Sequence, residues 1–333
     1  MSSATLERPA APPAPAKRPS RTEAGLEAEK ASVDLDQHVP RVSVGLPVYN
    51  GAAYVERALE SLLGQDFEDF ELVISDNGST DGTEAICRRI AASDPRVRYY
   101  REEQNHGAAW NFNRVFELAR GEYFRWACHD DSCEPTHLRR CVEAMDEAPE
   151  SVVLVYSRTM LIDEHDTPFW TSDENLDTQG MAPHQRMRRI AERLRYSNVL
   201  YGLTRREALE QTSLIGPYES SDYVLLVQLG LLGEFVEIPA YLFRRRIHSG
   251  MSRQANRSAE SVAAWFAAGK GHVPRLAHVR LMREYARAVA RAPMGRVERI
   301  RTTFALWYWF RRGARPLAKE ILALLSPRYS AYQ

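Results

Sequence analysis

The chain begins without periodicity and becomes patterned at residue 41. Residues 42–46 (VSVGL) are a short apolar run halted by Pro47 and Gly51, which predicts a strand followed by a loop. Tyr54, Val55, Ala58, Leu59, Leu62 and Leu63 then recur at helical spacing, and Gly64 ends the pattern. The same alternation repeats down the chain. Strands are predicted over 71–75, 97–101, 122–127 and 151–156, with helices over 84–92, 108–119 and onward from Pro135. Asp81 and Glu84 are spaced to cap the second helix. Beyond residue 157 the alternation thins. Helical patterns cover 185–196 and 222–232, and short strands are predicted over 199–204 and 241–247.

Strand and helix in regular succession predict an α/β chain whose mainly parallel, Rossmann-like sheet carries helices on both faces. In such sheets ligands bind beyond the carboxyl ends of the strands. Residues 47–50, Asp76-Asn77, Asn105 and 129–131 each follow a predicted strand, so they are expected to line one site.

Past Arg253 the pattern turns helical and basic. Leu276, Val279, Met282, Ala286 and Val289 fall on one helical face, and Ile300, Phe304, Trp307 and Tyr308 on another. Two readings fit. The helices pack on the sheet or on another subunit, as a homodimer; or they touch a membrane, since Trp307, Tyr308, Trp309 and Phe310 adjoin Arg311 and Arg312. Packing is preferred, because an amphipathic helix usually faces a core.

Composition narrows the class. The 333 residues are 44% hydrophobic and 26% charged, which excludes collagen-like, wholly disordered and disulfide-framework chains. Net charge is zero but uneven. Residues 253–333 carry 16 basic and 4 acidic groups, whereas 41–252 carry 23 and 34. A basic end of this kind suits an anion or a solvated face; beyond charge, nothing supports nucleic-acid binding. Residues 1–40 include an Ala/Pro-rich stretch too poor in apolar side chains to offset ordering, so a disordered tail is expected there. The expected divisions are then a catalytic domain over 41–252, with halves 41–157 and 158–252, and a basic helical region over 253–333. No apolar run reaches the roughly eighteen residues of a membrane span, and the first thirty residues lack a signal h-region. Cys87, Cys128, Cys133 and Cys141 form no CxxC pair and read as reduced structural thiols. Together these point to a cytoplasmic protein, either free or peripheral on the inner face of the membrane.

Neither GxGxxG nor GxxxxGK[ST] occurs, so any nucleotide phosphates must be held without a glycine cradle. Asp130-Asp131 offers an alternative. Adjacent carboxylates repel unless a cation or solvent screens them, and magnesium or manganese typically takes one or two carboxylates plus substrate phosphates. The same pair also suits the start of a helix, where acidic residues favour the dipole.

The ordered set Pro47-Val48-Tyr49-Asn50, residues 76–82 (DNGSTDG), Asn105-His106-Gly107, Asn113, His129-Asp130-Asp131, Ser221-Asp222 and residues 246–252 (RIHSGMS) resembles the inverting family 2 glycosyltransferases. The likeness covers about residues 41–252. It implies a GT-A fold, a nucleoside-diphosphate-sugar donor (UDP above all), and a divalent Mn2+ or Mg2+ ion. It also implies a small-molecule, glycan or lipid-linked acceptor. By the same resemblance Pro47 and Tyr49 frame the nucleoside, beside Asn50. Asp76 accepts a hydrogen bond from the base, Asn105 borders that pocket and Asn113 supports it. Asp130, with Asp131, and His248 hold the metal and diphosphate, and Asp222 is the general base. Two positions depart from the family pattern: Cys128 stands where the first carboxylate of Asp-x-Asp-Asp is usual, and Ser221 where Glu is usual. Each assignment has a plainer counterpart. Asp76 suits a turn, Asp222 a helix cap, His248 a surface position, and Tyr49, Trp110 and Trp170 simple packing. Two other functions fit the motifs: a sugar-phosphate nucleotidyltransferase, and a binding module without catalysis. The loop 47–51 lacks the basic residues that the former usually carries there.

Overall fold

The computed structural model describes residues 38–251, 256, 258–268 and 277–312. The first strands follow the sequence pattern closely. β1 (Val42–Val48) and β2 (Phe70–Asp76) are buried along their whole length, as expected for parallel strands covered on both sides. With β3 (Val97–Arg101) and β4 (Tyr123–Trp126) they form a parallel set in the order β3-β2-β1-β4. The sheet continues through β8 (Leu203–Arg205), β6 (Val152–Ile162), β9 (Glu234–Arg246) and β5 (Ser132–Cys133), with β7 (Pro168–Ser172) paired to β6. β8 is antiparallel to both β4 and β6, while β6 and β9 are parallel. The carboxyl ends of β1, β2, β4 and β9 therefore open on the same side of the sheet.

Alternation along the strands divides the core. Leu72 and Ile74 join Val42, Val44 and Leu46 beneath α1 (Val55–Leu63), α2 (Thr83–Ser93) and α4 (His137–Glu147). Val73, Phe124 and Trp126 point to the opposite face. They pack there with α3 (Ala108–Leu118), α5 (Pro183–Arg193), α6 (Arg206–Glu210) and α7 (Ser221–Leu232). α8 (Ala259–Ala267) lies against α3, and α9 (Ala277–Arg291) and α10 (Arg296–Arg312) complete that layer.

α3 begins at Gly107, whose φ of +92° lies in glycine's territory. A Cβ there would sit 2.8 Å from the carbonyl carbon of Phe266 in α8. Gly107→Ala is therefore expected to cost about 1–3 kcal/mol, read as a lower thermal midpoint. An unchanged midpoint would show that α8 does not press on this turn.

Several expectations need correction. The strand expected over 199–204 is a 3-10 turn (Asn198–Tyr201) followed by the short β8. Ser197 has φ +56°, which turns the chain into the 3-10 segment, and extended backbone resumes only at Gly202, where a Cβ would lie 2.5 Å from the Val155 carbonyl oxygen. The strand expected from 241 starts at Glu234. Pro239 hides it, because the register passes from Ser157↔Ile238 to Arg158↔Tyr241 and leaves Pro239 outside the ladder, where a missing N–H does no harm. The helix expected at Pro135 starts at His137. In α9 the buried face is Tyr285, Ala288 and Val289, with Ala286 exposed. In α10 the grouped apolar side chains face outward, and Thr302 and Leu306 are buried instead. Leu276, residues 313–333 and residues 1–37 lie outside the described residues, as does the side chain of Trp309.

Candidate functional site

Two strand ends build the centre of the site. β4 runs out into Cys128-His129-Asp130-Asp131, and β9 into Arg246-Ile247-His248. Buried Arg246 fastens the two together. Its N–H donates to Asp131 Oδ1 at 2.8 Å and its Nε to the Asp130 carbonyl at 2.9 Å. Its remaining nitrogens reach the Asp163 carbonyl and Asp166 Oδ1 in the β6–β7 turn. The guanidinium also lies over Tyr54, whose ring meets His248 at 4.5 Å. Asp130 Oδ2 is 3.0 Å from His248 Nε2. Burial pushes Asp130 up, but the His248 hydrogen bond and the nearby His129 outweigh it and hold the carboxyl below its ordinary range. Burial and the adjacent Asp130 charge push Asp131 up to about 7. The pair thus divides as two close carboxylates should, one ionised and one reluctant.

Cys128, expected to be an inert structural thiol, belongs to this cluster. Its ligand atom and those of Asp130 and Asp131 lie within 4.8 Å of one another. Its thiol donates to the Tyr201 hydroxyl at 3.0 Å, and burial raises it well above the usual thiol range. The donor set suits a divalent ion: two carboxylates supply hard oxygens and an imidazole stands beside them. All four cysteines are free thiols.

Asp222 occupies the first turn of α7 and lines a cavity of about 310 Å3 with Arg245, Tyr201, Tyr196, Trp265 and Arg195. Burial raises its carboxyl above the ordinary Asp value, although the Ser197 hydroxyl favours the charged form. Arg245 joins the two regions. Its guanidinium donates to the Tyr196 carbonyl and to Asn198 Oδ1 at 2.6 Å. Burial opposes its charge, yet Tyr201, Asp131, Cys128 and Asp130 outweigh that cost and raise its pKa. The carboxylate cluster and Asp222 thus share one guanidinium.

The residues expected around the nucleoside divide by setting. Pro47 is buried in β1, opposite Ser75. Tyr49 is 43% exposed at the strand end, free to offer its ring to a ligand. Asn50 has φ +51° and ties two loops: its Oδ1 accepts from Thr80 N–H, and its own N–H donates to Ser79 Oγ. Asp76 is fully enclosed, with Ser79 N–H on one oxygen and the Tyr99 hydroxyl on the other. Asn105 Oδ1 accepts from Asn77 Nδ2 and from Gly107 N–H. Asn113 reaches across to the loop before α7, exchanging two hydrogen bonds with the backbone of Ile215. Asn113→Ala would strand both Ile215 groups, a cost of about 1–3 kcal/mol expected in chemical denaturation. Asn113→Asp should recover only the bond that Ile215 N–H donates.

The geometry adds residues that sequence reading passed over. Arg245 is one. Another is buried Asn111, whose Nδ2 donates to the carbonyls of Val48 and Ser75 and so pins the ends of β1 and β2. Its signal was an amide four positions before Val115, on the inward face of α3 and one residue from Trp110. Arg245 had a weaker one, in alternation through three consecutive arginines that sets it opposite Arg244 and Arg246.

Comparison with known proteins gives the family and the fold. The sequence profile described as glycosyl transferase family 2 matches residues 43–211. Chondroitin synthase of Escherichia coli is 29% identical over 228 residues, 66% of this chain and 31% of that protein. Glycosyltransferase GlyG of Streptococcus pneumoniae is 26% identical over 63% of this chain and 72% of its own length. Matches to glycosyltransferases of Rickettsia felis and Rickettsia typhi, 33% and 34% identical, span only 22% and 38% of those proteins. Among solved structures, S. aureus TarS in complex with UDP-GlcNAc superposes with a TM-score of 0.59 at 17% identity, covering 78% of this chain and 69% of that one. The mannosyltransferase PcManGT of Pyrobaculum calidifontis, in complex with GDP-Man and Mn2+, gives 0.50 at 17% identity over 92% and 90%.

Proposed function

The chain belongs to glycosyl transferase family 2 and has a GT-A type of fold, and from that premise we propose that it moves a sugar from a nucleoside diphosphate to an acceptor hydroxyl with inversion. UDP is the proposed carrier. The observation that carries the reading is the convergence of Asp130 and His248 at 3.0 Å, with Arg245 between that cluster and the cavity lined by Asp222.

Asp222 removes the proton of the attacking hydroxyl, a task suited to a carboxylate whose basicity burial has raised. One base opposite the leaving group gives inversion in a single displacement. Asp130, with Asp131 and His248, would hold a divalent ion; manganese and magnesium both accept such oxygen donors, and the ion supplies Lewis-acid stabilisation of negative charge. Arg245 adds a fixed positive charge on the cavity wall. Tyr49 frames the nucleoside with Pro47, while Asn50, Asp76, Asn105 and Asn113 hold the loops that shape its pocket.

Calorimetric titration of UDP and GDP, each with and without Mn2+, tests the proposal. UDP binding that strengthens with Mn2+, followed by release of UDP from a UDP-sugar, is the expected result. Pyrophosphate release from a nucleoside triphosphate would instead identify a nucleotidyltransferase, and binding with no turnover on any acceptor or water would identify a binding module.

A further inference from the structure

α10 buries the wrong side for a helix whose apolar residues serve a core. Thr302 and Leu306 face inward, whereas Val297, Ile300, Phe304, Trp307 and Tyr308 are 64, 58, 66, 57 and 47% exposed. These five side chains follow one another at helical spacing, so they form one continuous stripe. A depression of about 650 Å3 runs along it, bordered by Arg296, Ile300, Phe304 and Trp307. Stripes of large apolar side chains on this scale mark contact surfaces.

Charge identifies the partner. Residues 277–312 hold nine arginines and two glutamates. Both glutamates are already engaged, Glu284 with Arg287 and Glu298 with His184. Arg296, Arg301 and Arg311 are exposed around the stripe, and Arg311 lies over the Trp307 ring. A second copy would bring the same cationic face against this one. Residues 313–333 are themselves net basic, so they supply no counter-charge either. An aromatic stripe rimmed by guanidinium groups is instead complementary to a surface with anionic headgroups above an apolar layer. Among the described residues no helix is long and apolar enough to cross a membrane. We infer that the outward face of α10 docks in the plane of an anionic phospholipid bilayer, with Ile300, Phe304 and Trp307 inserted and the flanking arginines on headgroups.

The test is vesicle co-sedimentation of the full chain. Vesicles of phosphatidylcholine with about one-third phosphatidylglycerol should pull the protein down, and phosphatidylcholine alone should do so at least about tenfold less well. Raising salt from about 0.1 M to about 0.5 M should weaken the binding. The triple variant Ile300→Ser, Phe304→Ser, Trp307→Ser changes only exposed side chains, so its circular dichroism should match the parent while its partitioning falls at least about tenfold. Equal partitioning of variant and parent would overturn the inference, as would failure of the parent to sediment with either vesicle. Sedimentation velocity supplies an independent check. A parent dimer that the triple variant dissociates would assign the face to a second copy and overturn it as well.

Discussion

Asp222→Asn is expected to lower turnover by about 10²–10⁴ while donor affinity stays within about twofold. Asparagine keeps the shape and the hydrogen-bonding reach of the side chain and removes only its capacity to take a proton. The residue lines the cavity and, among the described residues, makes no hydrogen bond to Asp130 or His248, so the donor should sense the change only weakly, through the charge of Arg245. Steady-state kinetics beside UDP calorimetry separates the two effects; near-parental turnover would dismiss Asp222 as base. The pH dependence carries a second signature. Burial holds the Asp222 carboxyl above its ordinary range, so the acid limb of kcat should lie above that of a free aspartate, with rate lost as pH falls through it. The stability sign is opposite. The folded chain keeps this proton to a higher pH than the unfolded chain does, so ionisation costs stability as pH rises through the window between the two values. Asparagine carries no such cost. Calorimetry at neutral pH should therefore find the variant melting at or above the parent temperature. A lower midpoint would mean that the groups favouring the charged form, Arg245 and the backbone N–H groups among them, outweigh burial.

The first half of the chain was legible because parallel strands buried on both faces must be apolar throughout, and turn residues must follow them. Residues 42–46 and 72–74 announce themselves in that way, whereas 97–101 (VRYYR), the half-exposed edge strand, shows itself only through its valine and tyrosines; polar groups follow all three at the carboxyl ends. The second half was less legible for physical reasons that can be named. Pro239 interrupts β9 in sequence but sits in a bulge in space, so a thirteen-residue strand looked like a seven-residue one. Asp130 and His248 are 118 positions apart, and only the register of β9 and the Arg246 fastening bring them together. No local pattern encodes such a pairing; the family resemblance supplied it. Periodicity also says which residues share a helical face, as Ile300, Phe304 and Trp307 do, but it does not say whether that face looks inward or outward.

Asp130 and Asp131 adjoin in sequence, yet their replacement by alanine should have different consequences. Asp131 is only 7% exposed, and one of its oxygens already accepts the Arg246 N–H. Asp131→Ala leaves that buried donor unpaired and loosens the join between β4 and β9, so its main effect should be a loss of about 1–3 kcal/mol in unfolding free energy. Asp130 is tied through its side chain to His248 alone among the described residues and carries the ionised charge of the pair. Its removal relieves repulsion on Asp131 and takes one partner from His248, whose ring keeps its contact with Tyr54. Asp130→Ala should therefore unfold near the parent midpoint while losing the manganese-dependent part of its UDP affinity, a fall of at least about 100-fold if the carboxylate is a direct ligand. UDP calorimetry with and without Mn2+ and thermal unfolding of both variants provide the four measurements. An Asp130→Ala protein that gains as much UDP affinity from manganese as the parent does would remove this residue from the metal site. If Asp131→Ala alone abolished that gain without loss of stability, the roles of the two carboxylates would be exchanged.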